Sequence, residues 1–146
     1  MFPFASKKLE ENKDILAQQT TEWVQLNFPM RTSDFSKCNR DVSYILESVI
    51  LCLKEGDTAA IDQLSRMFFK KGTLQLRSLH VEFQAYDFLL QQIKLVLGEC
   101  EPESFNSCIT AFETLKFHLI NGNIEDNDNA PRNTKDYETR VKHALY

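Results

Sequence analysis

Apolar residues return along this chain at helical spacing, and no stretch shows the strict alternation of a half-buried strand, so an all-α fold is expected. From Ser6 onward Leu9, Leu16 and Trp23 recur every seven residues, with Ile15 and Leu26 beside them and Glu10, Glu11, Lys13 and Gln18 outside the stripe. Phe28 before Pro29 ends this first helix, because a residue preceding proline resists the α conformation. Thr32, Ser33 or Asp34 is placed to cap a second helix whose stripe is Phe35, Cys38, Val42, Ile45, Leu46, Val49 and Leu53, closed by Gly56. A shorter third helix restarts at Asp57 or Thr58, carries Ile61, Leu64, Met67 and Phe68, and stops at Gly72; the tight joint predicts antiparallel packing on the second. Beyond a linker around residues 73–77, a fourth helix runs from about Ser78 to Leu97 with Phe83, Tyr86, Leu90, Ile93 and Leu97 inward, closed by Gly98. Pro102 marks the start of a fifth, with Phe105, Cys108, Ile109, Phe112, Leu115 and Leu119 on its apolar side, ending near Ile120.

The two ends read differently. Phe2 and Phe4 flank Pro3 in a segment too short for an element, so residues 1–5 are expected as an apolar arm ahead of a bundle over 6–120. After Ile120 the chain turns to Asn, Asp, Gly and Glu with only Ile124 to bury, which predicts a polar linker over 121–134. Tyr137, Val141 and Leu145 then recur every four residues, giving a short helix over 135–146 with one sticky face and too little apolar surface to fold alone. The expected architecture is therefore a compact bundle of about five helices with an N-terminal arm and a C-terminal linker plus short helix.

Composition supports one domain and narrows the chemistry. With 146 residues, 42% of them apolar, and eleven Phe, four Tyr and one Trp, the chain is large enough for a core of its own. Only four glycines and four prolines are present, and the glycines are isolated and follow helices, so none builds a phosphate-cradling loop. The net charge of −4, with Lys and Arg spread along the chain, does not indicate a nucleic-acid footprint. No run of about 18 apolar residues is present to span a membrane, and the first residues lack the basic start and apolar core of a signal peptide. A protein made in the cytoplasm and left unprocessed is expected. Cys38, Cys52, Cys100 and Cys108 form no C-x-x-C pair and have no histidine at zinc spacing, so they are expected as buried or half-buried thiols and no metal is expected. Cys38 and Cys52 lie on similar faces but about 20 Å apart along one helix, too far to bridge. His80, His118 and His143 fall in separate segments, and none has a nucleophile or carboxylate at a diagnostic spacing. No cofactor, catalytic residue or small-molecule substrate is expected.

The densest segment is KCNRDVSYILESVILCLKEGD, residues 37–57, and two families compete for it. Cys38, Arg40, Asp41, Tyr44, Leu46, Val49, Leu53 and Gly56 resemble the bilin-attachment helix of phycobiliproteins. That resemblance would make Cys38 the thioether ligand, Arg40 a propionate partner and Asp41 the acceptor of the pyrrole N–H groups. The family places several globin-like helices before its cysteine, however, and only 37 residues precede Cys38.

The second resemblance is broader. Leu9, Asn12, Trp23, Asn27 and Pro29, then KCNRDVSYI, then Gly56-Asp57, Arg66, Phe69 and Gly72, then Ala85-Tyr86-Asp87-Phe88-Leu89 resemble an all-helical module of virion structural proteins in large contractile-tailed bacteriophages, cyanophages included. The similarity covers residues 9–97 in order, with motifs that are individually of moderate specificity. It implies a structural virion component, of the tail, baseplate or neck in preference to the capsid shell. Its partners would be other virion proteins and further copies of itself. No residue of KCNRDVSYI would be catalytic. Phe2, Phe4, Tyr137, Val141, Leu145 and Tyr146 are the expected partner contacts, since apolar groups on short end segments have no local core to enter. The alternatives are a non-viral helical adaptor or regulator and, more remotely, a bilin-binding domain.

Overall fold

The computed structural model describes residues 1–29, 34–70 and 79–121, and these form five α-helices and no strand. They are α1 (Pro3–Asn27), α2 (Phe35–Glu55), α3 (Ala59–Lys70), α4 (Leu79–Leu97) and α5 (Ser104–Asn121). The expected linker beyond Asn121, the short helix over 135–146 and the stop at Gly72 lie outside the described residues.

Local chemistry explains most of the helix ends. Asp34 caps α2 by accepting from Ser36 N at 2.9 Å. Gly56 ends it in the left-handed region at φ +81°, where its N–H reaches Cys52 O at 2.8 Å. The Asp57 carboxylate then accepts from Ala59 N at 3.1 Å to begin α3. Pro102 lies in the turn before α5, which starts two residues later at Ser104.

The amino end departs from the expected arm. α1 begins at Pro3, because proline at the first helical position has its φ already set and gives up an N–H that would have no intrahelical partner. Phe2 packs half-buried against the core and donates its backbone N–H to Leu53 O at 2.8 Å, while Met1 N bonds Lys54 O at 2.6 Å. Two carbonyls of the last turn of α2 thereby gain partners.

α1 and α2 run antiparallel, as the Phe2–Leu53 bond and the Lys13–Glu47 ion pair at 2.9 Å require. α4 lies antiparallel to α1 on another side, with Trp23 stacked on Phe88 (centroids 4.8 Å apart, planes 11° apart) and Phe28 edge-on to His80. α3 packs on α2 and α5, and α5 closes the bundle against α2, α3 and α4. The main core joins Leu9 and Leu16 of α1 to Leu46 and Leu53 of α2, Ile61 of α3, Tyr86 and Ile93 of α4, and Phe112 and Leu115 of α5. Two residues assigned to the α1 stripe face outward instead: Ile15 is 56% exposed and Leu26 82%. At 100° per residue both sit on the far side of α1 from Ala17 and Val24, which are buried. The four cysteines are unbridged, with Cys52 and Cys108 buried and Cys38 and Cys100 half-buried.

Candidate functional site: a polar cluster at one end of the bundle

The end of the bundle where α1 finishes and α2 and α4 begin collects polar side chains under an apolar rim. Val24, Val81 and Ala85 pack together there, joined by Trp23, Phe28 and Cys38. From α1 come Thr20 and Thr21, both buried; Thr21 Oγ1 donates to Ala17 O at 2.8 Å, and Thr20 Oγ1 has no hydrogen-bond partner. From the first two turns of α2 come Cys38, Asn39 and Asp41, all half-buried, and Asn39 Oδ1 is likewise buried without a partner.

α4 supplies Glu82 and Tyr86, one helical turn apart and so on one face. Tyr86 is 2% exposed. Glu82 is half-buried as a residue, and its carboxyl is the enclosed end. That carboxylate faces the Tyr86 hydroxyl and draws on it as a hydrogen-bond donor, although the pair falls short of ideal hydrogen-bond geometry. Burial dominates the protonation of this pair. It pushes the Glu82 carboxyl up to about 7, with the Tyr86 hydroxyl opposing and the charge of Asp41 across the gap adding to the rise. The Tyr86 phenol is held well above its ordinary 10 by burial and by the same two carboxylates. The Cys38 thiol is also raised, again mainly by desolvation, with the Thr21 hydroxyl working against it, so it stays protonated at neutral pH. Chemically, this arrangement offers one carboxyl able to hold or release a proton near neutrality and a phenol that keeps its own.

Of the residues shared with the bilin-attachment helix, Cys38 and Asp41 turn partly inward and Arg40 is exposed. Cys38 packs against the Val24, Val81 and Ala85 group. Of the expected partner contacts, Phe2 packs half-buried against the chain's own core beside the end of α2. Phe4 stays 70% exposed. Tyr137, Val141, Leu145 and Tyr146 lie outside the described residues. A second polar pair sits between α3 and α5, where His118 Nε2 meets Asp62 Oδ1 at 2.7 Å across 56 residues of sequence. No group of three or more His, Cys, Asp or Glu among the described residues is arranged to hold a metal ion.

Neither Glu82 nor the buried hydroxyl of Tyr86 stands out from motif and spacing. The signal was present: Glu82 is four residues before Tyr86, seven before Leu89 and eleven before Ile93, which is the register of the inward face. An acidic residue in an apolar register is a buried carboxyl in waiting. Comparison with protein-family models, with curated proteins and with solved structures finds no match to this chain.

Proposed function

We propose that the chain is a structural component of a tailed-phage virion, of the tail, baseplate or neck, which acts through protein–protein contacts and has no catalytic role. The observation that carries this reading is the ordered run of motifs from Leu9 to Leu89, which resembles the helical module of contractile-tailed phages over most of the bundle. The placement of those motif residues supports it. Trp23 of the first motif stacks on Phe88 of the last, and KCNRDVSYI opens α2 beneath them. The Trp23–Phe88 stack is a packing contact, as expected of a module that acts through its shape.

Partners are then other virion proteins and further copies of the same chain, reached through Phe4 and through Tyr137, Val141, Leu145 and Tyr146. No described helix is long and apolar enough to cross a membrane. Two measurements test the proposal. Mass spectrometry of purified particles, from a phage whose genome carries the gene among other virion genes, is expected to find the chain in stoichiometric amount; its absence refutes virion membership. Deleting residues 122–146 is expected to leave the melting temperature of the bundle within a few degrees and to abolish incorporation. A truncated chain that still enters particles removes the tail from the contact surface.

A further inference from the structure

The outward face of α1 carries three large apolar residues with no partner among the described residues: Phe4 at 70% exposure, Ile15 at 56% and Leu26 at 82%. They are eleven residues apart, close to three helical turns, so each lies about 16 Å along the axis from the next and only about 20° round from it. They are separated by exposed polar and charged residues, so they form a row of spaced apolar anchors along one face of the 25-residue helix, not a continuous patch.

The row is also self-complementary. Phe4 and Leu26 stand equally far from Ile15, eleven residues on either side. Lys8 and Glu22 are each seven residues away, and Glu11 and Gln19 each four; all four are exposed and lie within about 40° of Ile15 around the helix. A second copy of α1 laid antiparallel across a two-fold axis at Ile15 therefore sets Ile15 on Ile15, Phe4 on Leu26 and Lys8 beside Glu22. The Phe4–Leu26 and Lys8–Glu22 contacts are each made twice and Ile15 meets its own copy once on the axis, as an isologous interface requires. A parallel arrangement would instead stack Lys8 on Lys8 and Glu22 on Glu22. The charges thus favour an antiparallel over a parallel second copy, and among antiparallel registers the one centred on Ile15 is the one that engages all three apolar residues. The slow drift of the apolar row around the helix favours a slight right-handed crossing.

We infer that this face of α1 is a homodimerisation surface, with Ile15 on the two-fold axis and Lys8 paired to Glu22 of the partner copy. The inference deepens the proposed contact between copies through Phe4 but is argued from α1 alone; particle incorporation tests the virion reading separately. Sedimentation equilibrium on the full chain reads it directly. The wild type is expected to be a dimer whose dissociation constant rises with salt. Ile15→Asp, at an exposed position where circular dichroism should show an unchanged helix content, is expected to weaken it at least about tenfold. Lys8→Glu and Glu22→Lys should each weaken it by about threefold or more. The double swap should restore it, since the two charges then only exchange places across the interface and opposite signs still meet.

A full chain that sediments as a monomer up to about 0.5 mM overturns the inference, because no closed two-fold contact would then exist at any working concentration. So does a dimer that tolerates Ile15→Asp, or a double swap no better than the single variants. If the full chain is monomeric and removal of residues 122–146 yields a dimer sensitive to Ile15→Asp, the chain's own tail is the cover and the inference fails for the intact protein.

Discussion

Replacing Glu82 by glutamine probes the buried pair on α4 through the pH dependence of stability. Glutamine matches the protonated carboxyl in size and cannot ionise. In the folded chain the Glu82 carboxyl is pushed up to about 7 by burial, with Asp41 from α2 adding to the rise, against an ordinary value of 4.5. Below about 4.5 the group is protonated in both folded and unfolded chains and has no effect on stability. As the pH rises from 4.5 to 7 the unfolded chain gives up its proton while the folded chain keeps it, so the unfolded state gains and stability falls. Above 7 the loss is complete. At about 1.4 kcal/mol per pKa unit it amounts to about 3 kcal/mol, which in a bundle of this size is a shift of about 10 °C in melting temperature. Urea unfolding at pH 4.5, 6 and 8, followed by fluorescence of the single tryptophan and by far-UV circular dichroism, measures it. Glu82→Gln is expected to come within about 0.5 kcal/mol of the wild type at pH 4.5 and to exceed it by about 3 kcal/mol at pH 8. A difference that stays constant across the range, or a variant less stable at pH 8, refutes the argument that the ionised carboxyl is disfavoured by burial.

Two further substitutions examine neighbouring features. Tyr86→Phe removes the hydroxyl that favours the ionised Glu82 carboxyl, so urea unfolding at pH 8 is expected to show a loss of about 1 kcal/mol that shrinks at pH 4.5; an equal change at both pH values would mean that the hydroxyl does not act on the carboxylate. Glu101 accepts from Ala5 N at 2.7 Å while its own backbone sits at φ +44°, so Glu101→Ala is expected to cost about 1–2 kcal/mol through loss of the α1 cap. Glu101→Gly loses the same cap but relieves the left-handed backbone, and should come out about 1 kcal/mol better than the alanine variant. Equal losses would show that the backbone there is unstrained.

How much of this could be read from the sequence differed from helix to helix. α2 was legible at both ends because Asp34 and Gly56 are residues whose chemistry acts locally. α1 was legible in its length but not in its start or its facing. Pro3 looks like an interruption when the flanking Phe2 is taken as loose, and only the contact of Phe2 with the end of α2 shows that the helix already begins there. Ile15 and Leu26 were assigned inward because apolar residues on α1 occupy two faces, and hydrophobicity alone does not say which face has a neighbour. The polar cluster depends on α1, α2 and α4 meeting at one end. Glu82 could be placed on the inward face by its spacing from Leu89 and Ile93. Its proximity to Asp41 is a tertiary fact with no trace in local spacing.

The bond from Ala5 N to Glu101 joins residues 96 apart, and it bears on the order in which the protein is made. Of the five helices α1 is synthesised before the others, and α2 can pair with it as soon as Glu55 has emerged. The first turn of α1 has no acidic residue of its own and no side-chain cap from Phe2, so the acceptor for Ala5 comes from a turn synthesised almost at the end of the bundle. The helix translated before the other four is thus completed among the last, and a nascent chain that stops short of residue 101 lacks the acceptor for Ala5 N however well its α1–α2 hairpin has formed.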